Sequence, residues 1–336
     1  MSVAGRPTLA VEGLTTQFAT RAGTVTPVNG VSFSIQPGQI MGLVGESGSG
    51  KSLTGYSIMG LIDAPGRVVQ GSIRLNGQEL FGQSQERMRS IRGNRIAMIF
   101  QDPMMTLNPV LRIDTQMVEA VLAHQQVGQR QARAMARDAL ERVGIASPDE
   151  RLLSYPHQFS GGMRQRVAIA IALLNKPDLI ICDEPTTALD VTIQGQILYE
   201  MQKLCRETGA ALIWITHDLS VIAGLADTVC VMYAGKIVES GTAEQVLEHA
   251  RHPYAHALIA SAPSRNVRGR PLRQIPGMTP SLLSLPSGCA FRERCDRATP
   301  VCEGVPPLET AAGRTLRCFY PVGDSGVPAN AMGLAP

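Results

Sequence analysis

Ile40-Met41-Gly42-Leu43-Val44, followed by Gly45-Glu46-Ser47-Gly48-Ser49-Gly50-Lys51-Ser52, is the stretch on which the fold turns. The first five residues are an apolar run of buried-strand length. The next eight fit the phosphate-binding P-loop pattern, and a helix is expected to start near Ser52. Glycines at 45, 48 and 50 let successive N–H groups turn inward around a β-phosphate, and the helix N-terminus adds positive potential. In that arrangement Lys51 reaches the β- and γ-phosphates, and the Ser52 hydroxyl can ligate Mg²⁺.

Such a loop needs a carboxylate from the end of a neighbouring buried strand to hold Mg²⁺. Leu179-Ile180-Ile181-Cys182-Asp183-Glu184 supplies it. Asp183, at the strand tip, suits Mg²⁺ directly or through water, and Glu184 is free to act on an attacking water as general base. Further strand patterns at 31–35, 95–100, 211–216 and 228–233, and a hairpin at 71–80 turning through Asn76-Gly77, alternate with helical ones. Residues 31–35 and 40–44 read as two strands joined by the turn Gln36-Pro37-Gly38-Gln39. Between 112 and 144 apolar residues recur at helical spacing, as in Ala132, Met135, Ala136, Ala139, Leu140 and Val143. The expected class is α/β: a P-loop core with a mixed sheet, a helical subdomain, and a Cys- and Pro-rich C-terminal extension.

The 336 residues carry 31 Lys and Arg against 28 Asp and Glu, a field too weak to indicate nucleic acid or an acidic substrate. The longest apolar run, 167–174, falls far short of the ~20 residues that span a bilayer. Residues 1–11 lack the apolar stretch of a secretory signal, so a cytoplasmic protein with reduced thiols is expected. Composition then shifts late. Eleven of 22 Pro and four of seven Cys lie beyond residue 260, and residues 265–320 hold nine Arg against four acidic residues.

Cys289, Cys295, Cys302 and Cys318 are separated by five, six and fifteen residues, without the Cys-x-x-Cys knuckle of zinc ribbons. Four thiols in one short segment still suggest a single tetrahedral site, with iron–sulfur and zinc as candidates and unligated thiols as the alternative. The neighbouring Arg292, Arg294, Arg297 and Arg317 are expected to depress the thiol pKa values and to offset a cluster's negative charge. Cys182, Cys205 and Cys230 sit in apolar patterns and read as core.

Phe159-Ser160-Gly161-Gly162-Met163-Arg164-Gln165-Arg166 opens an apolar helix ahead of Asp183 and resembles the signature motif of ATP-binding cassette (ABC) ATPases. Other residues follow in that family's order. Gln101, after the strand at 95–100, resembles the Q-loop, Ala188-Leu189-Asp190 the D-loop, His217 the switch histidine, and Phe18 the aromatic that stacks on adenine. Ser-Gly-Gly-Met, Phe100-Gln101-Asp102-Pro103-Met104, Leu107-Asn108-Pro109, the run 183–192 and His252-Pro253-Tyr254 narrow the likeness to the ATPases of bacterial dipeptide and oligopeptide importers, above all their D-type subunit.

The resemblance implies an ABC nucleotide-binding domain over 9–250 with a helical subdomain near 105–170. An oligopeptide-transporter extension over 251–321 and a tail over 322–336 would follow. It implies ATP as substrate, with Glu184, His217 and Gln101 in catalysis and Ser52, Gln101 and Asp183 around Mg²⁺. Ser160, Gly161, Gly162 and Asp190 would serve nucleotide in a head-to-tail pair with a second ATPase subunit, a heterodimer. Two transmembrane permease subunits touching residues 101–108 and a periplasmic or lipid-anchored peptide-binding protein are the implied partners, without nucleic acid. The chain would then lie peripherally on the cytoplasmic face of the bacterial inner membrane. Some such ATPases carry a [4Fe–4S] cluster in the extension, which favours iron–sulfur over zinc for the four cysteines. The competing readings are an ATPase importing nickel or another small solute, and a non-transport ABC ATPase or sensor.

Overall fold

A computed structural model describes residues 6–186, 191–267 and 269–323. By compactness the chain forms two units, neither continuous in sequence: one takes the residues up to Leu9, Ser34–Ile40 and Arg74–Trp214, the other Ala10–Phe33, Met41–Ile73 and the residues from Ile215 onward.

In the first unit, Ile96–Ile99 pairs in parallel with Leu179–Asp183, from Ile96 opposite Leu179 to Ile99 opposite Cys182, and Ala211–Thr216 is next in order. Every residue of these three strands is buried, which is why they read as unbroken apolar runs and not as alternating ones. Helices Ile113–Leu122, Gln129–Arg142, Pro148–Leu152 and Gly161–Leu173 form the helical part. The helical stretch expected over 112–144 comprises the first two of these. The second buries Ala132, Ala136 and Leu140 along one stripe, as the spacing predicts. The expected hairpin is present: Leu75 pairs with Gln78, and Asn76 (φ 46°) and Gly77 (φ 73°) both take the left-handed conformation that a two-residue turn requires.

In the second unit, Ile40–Val44 runs parallel to Thr228–Tyr233, with Met41 opposite Thr228 and Val44 opposite Val231. Lys236–Thr242 returns antiparallel, so the sheet is mixed, as expected. Two short strands the sequence did not suggest extend it: Arg314–Leu316 pairs with Lys236–Thr242, and Glu309–Ala311 pairs with Arg314–Leu316. Gly23–Ile35 is longer than expected and does not pair with Ile40–Val44. It joins Leu9–Thr20 and Gly66–Leu75 in a separate sheet. No helix among the described residues is long and apolar enough to cross a membrane.

Candidate nucleotide site and thiol pocket

In the second unit, the buried strand Ile40–Val44 delivers the loop 45–50 to the N-terminus of helix Lys51–Met59. The loop is tightly packed at two of its three glycines. A Cβ on Gly45 would lie 2.3 Å from the Met232 carbonyl oxygen, and one on Gly50 would lie 2.1 Å from that of Pro27, with Gly50 at φ 105°. No other residue fits either place. Lys51, 6% exposed, folds back on its own loop: Nζ donates to the Gly45 oxygen at 2.8 Å and the Glu46 oxygen at 2.9 Å. Ser49 is buried and its carbonyl accepts the Gly235 N–H, while Ser47 and Gly48 are exposed and Ser52 half-buried.

Glu46, expected in the phosphate cradle, is engaged by residues far along the chain. Its N–H is donated to the Tyr254 hydroxyl at 2.8 Å, and its carboxylate is gripped by Arg294 through Nη1 (2.7 Å) and Nη2 (2.9 Å). Thr279 Oγ1 adds a third donor at 3.1 Å. The Arg294 hydrogen bond holds the Glu46 carboxyl below the usual carboxylate range, against the opposing effect of burial. Arg294 had been read only as a neighbour of the cysteines, and Tyr254 only as part of a motif. Neither reading joined them to the P-loop.

Also in this unit, His217 is exposed just past Ala211–Thr216. The turn presenting it is fixed on both sides, since the Asp218 N–H donates to Thr216 Oγ1 (3.0 Å) and Asp218 Oδ1 accepts the Ser220 N–H (2.9 Å) at the start of helix Leu219–Leu225. Phe18 is half-buried on Leu9–Thr20. Its ring edge fills the space over Gly66, where a Cβ would meet it at 2.4 Å.

In the first unit, Asp183 is 2% exposed at the tip of its strand. Glu184 follows with φ 46°, a left-handed conformation uncommon for a non-glycine residue and one that concentrates at functional positions. Gln101, 83 residues earlier, donates from Nε2 to Glu184 Oε2 at 3.2 Å, so the structure brings the Q-loop glutamine and the candidate base together. Beyond Gln101, Asp102 caps the turn Pro103–Met105 by accepting the Met104 N–H, and Met105 and Val110 stand 70% and 75% exposed. Asp190 lies outside the described residues. A groove of about 510 Å³ in this unit lies among helices Gln129–Arg142, Gly161–Leu173 and Val191–Thr208 and touches none of the candidate residues.

Ser160 caps helix Gly161–Leu173, its Oγ accepting the Met163 N–H at 3.3 Å. The hydroxyl expected to face phosphate therefore orders the helix start. Ser160 and Gly161 are exposed and Gly162 half-buried, which leaves a helix N-terminus with its positive end open to a neighbour.

All four extension cysteines line one small pocket in the second unit, together with His252, Phe291, Arg292 and Arg297. Cys302 is buried and the others half-buried, and the Cys289 N–H donates to the Cys302 carbonyl at 3.0 Å. The expected depression of thiol pKa values is not found. Burial outweighs the arginines, raising Cys289 and pushing Cys318 to about 11 and Cys295 to about 12. Among the described residues no three His, Cys, Asp or Glu side chains are so placed that they could hold one metal ion. A tetrahedral zinc site needs sulfurs converging at about 2.3 Å from a common centre.

A phosphate loop and a strand ending in Asp-Glu describe P-loop nucleotide hydrolases in general. The glutamine reaching Glu184 and the Ser-Gly-Gly helix start narrow this to one class, the ATP-binding cassette ATPases. Comparisons agree. A family model described as ABC transporter matches residues 28–187, and one described as oligopeptide/dipeptide transporter, C-terminal region, matches residues 238–302. The chain is 45% identical over 315 residues to the oligopeptide transport ATP-binding protein OppD of Escherichia coli (strain K12), covering 94% of this chain and 93% of that protein. It is 47% identical over 314 residues to the dipeptide transport ATP-binding protein DppD of Bacillus subtilis (strain 168), covering 93% and 94%. Among solved structures, the ATP-binding cassette MJ0796 bound to ADP and Pi shares the fold with TM-score 0.64 at 24% identity, over 70% of this chain and 98% of that one. The cbiO1 protein from Clostridium perfringens, part of the ABC transporter complex cbiONQ, does so with TM-score 0.61 at 25% identity, over 73% and 92%. The chain belongs to the family of ATP-binding proteins of oligopeptide and dipeptide ABC transporters.

Proposed function

We propose that this chain binds and hydrolyses ATP to power import of dipeptides or oligopeptides through a membrane ABC transporter. The observation that carries this is the occurrence, in one chain, of the ABC nucleotide motifs and the peptide-transporter C-terminal region. In this reading the nucleotide-binding domain takes residues 9–250, with its helical subdomain near 105–170, and the extension takes 251–321, with 322–336 as tail.

ATP enters with its adenine on Phe18 and its phosphates on the loop of residues 45–52. Lys51 then exchanges the carbonyls of Gly45 and Glu46 for phosphate oxygens, a swap of acceptors around one ammonium. Ser52, Gln101 and Asp183 carry oxygen donors of the kind Mg²⁺ prefers and would hold that ion, which would supply charge neutralisation for the phosphates. Glu184, held by Gln101, takes the proton of the attacking water, and His217 stabilises charge on the γ-phosphate. Ser160, Gly161, Gly162 and Asp190 serve the nucleotide of a second ATPase subunit in a head-to-tail heterodimer. Two permease subunits dock beside Gln101, a role supported by the exposed Met105 and Val110, and a peptide-binding protein delivers solute outside. The chain is peripheral, at the cytoplasmic face of the bacterial inner membrane.

For the thiol pocket we favour a [4Fe–4S] cluster over zinc. What supports it is the lining of one small pocket by all four cysteines, an all-sulfur donor set. Such a group would tie the segments around residues 289–302 to residue 318, in a Pro-rich region with little regular structure. Anaerobically purified chain should contain iron and acid-labile sulfide in equal amounts. Zinc instead, or neither, would overturn that assignment. The transport reading is tested on the assembled complex by ATP hydrolysis against a panel of peptides and nickel salts. Stimulation by peptides supports it, and stimulation by nickel alone would move the substrate class.

A further inference from the structure

We propose that Arg294 is a positioning residue for ATP binding: through Glu46 the C-terminal extension braces the P-loop from behind and so sets the chain's affinity for nucleotide. The inference rests on the reading that ATP occupies residues 45–52, and every group in it lies in the second unit. Glu46 is the second residue of the phosphate loop, and its backbone and side chain are both committed to partners 208 to 248 residues away. The N–H goes to the Tyr254 hydroxyl, and the carboxylate takes a two-pronged contact from Arg294. The carbonyl oxygen of the same residue is one of the two that Lys51 rests on. Arg294 therefore acts one residue removed from the lysine that must meet phosphate.

The brace is rigid for a physical reason. The Arg294 side chain is only 5% exposed, and its Nε donates to the Pro276 carbonyl at 2.8 Å. Its guanidinium carbon lies 5.8 Å from the ring centres of both Tyr233 and Phe291, which with Tyr254 form a three-ring cluster at 4.5–5.3 Å. A planar fork buried against two aromatic rings has little freedom to lose when it binds a carboxylate. Its anchorage in the chain links it to the thiol pocket. Arg294 ends the turn Arg292–Arg294, in which the Arg292 N–H donates to the Cys289 carbonyl and the Cys295 N–H to the Arg292 carbonyl. The two cysteines at the ends of that turn line the pocket while Arg294 holds the loop.

The test is MgATP binding to the purified full chain, by calorimetry, paired with KM and kcat in the assembled transporter. Arg294→Met keeps length and burial and removes the fork. It should weaken MgATP at least tenfold and raise KM by a similar factor, with kcat within about twofold. Arg294→Lys, which keeps the charge but cannot make the two-pronged contact, should fall between the two. Glu46→Gln with Arg294→Met should be no weaker than the worse single variant, since both remove one contact. Tyr254→Phe, which loses a single oxygen, should weaken MgATP about threefold and decides the matter if Arg294→Met does not fold. Unchanged affinity in Arg294→Met or Tyr254→Phe, additive single effects, or a fall in kcat at constant KM would overturn the proposal. A wild-type chain that bound no MgATP would instead overturn the nucleotide reading on which it rests.

Discussion

Two carboxylates, Glu184 and Glu46, occupy opposite chemical situations. Glu184 is held in a left-handed backbone conformation, with one oxygen on Gln101. Glu184→Gln keeps that conformation and size but cannot take a proton, so MgATP binding should persist while turnover in the complex falls by about 10²–10⁴-fold. Undiminished turnover would remove Glu184 from the role of base. Glu46 is ion-paired, and its folded pKa lies below the usual 4.5. Its contribution to stability is therefore full above pH 4.5 and is lost only as pH falls through the lower folded value. In urea titrations the margin of wild type over Glu46→Gln should stay constant from neutral pH down to 4.5 and shrink below. A margin that begins to shrink near pH 6 would contradict the pairing. The places of Glu184 after a buried strand and of Lys51 at the end of a glycine loop were legible in the sequence because both are set by residues beside them. The partners of Glu46 were not, because Tyr254, Thr279 and Arg294 reach it across more than 200 residues and follow no local pattern.

At the scale of single elements, the signature helix depends on its first residue. Ser160→Ala removes the acceptor for the Met163 N–H and should cost about 1 kcal/mol of stability, whereas Ser160→Gly should cost only a few tenths. If the two variants nonetheless lose ATPase activity equally in the complex, the hydroxyl also serves nucleotide. The P-loop is less forgiving. Gly50→Ala would drive a Cβ into the Pro27 carbonyl from a φ of 105°, and thermal unfolding should register a loss of about 1–3 kcal/mol or more. Elements governed by local rules were readable: the Asn76-Gly77 turn, and the buried strands before Gly45 and Glu184. Gly23–Ile35 and Ile40–Val44 were misread as a pair because strand patterns do not say which sheet a strand enters. The helical character of 112–144 was readable from apolar spacing, which does not mark where Ile113–Leu122 ends and Gln129–Arg142 begins. The strands Glu309–Ala311 and Arg314–Leu316 are only three residues each, too short for their alternation to be read.

Across the whole molecule, a mixed α/β cassette was foreseeable from motif order. The extension's position against the back of the phosphate loop was not, since it depends on tertiary contacts made by Arg294 and Tyr254. That contact ties residues 254 and 294 directly to the second residue of the phosphate loop. The central claim, that ATP hydrolysis on this chain drives peptide uptake, is tested most directly in vesicles containing the chain, its permeases and a second ATPase subunit, with labelled peptide outside and MgATP enclosed. Uptake should require ATP and fall to background with Lys51→Met on this chain. Uptake that persists with that variant, or that proceeds without ATP, would contradict the account.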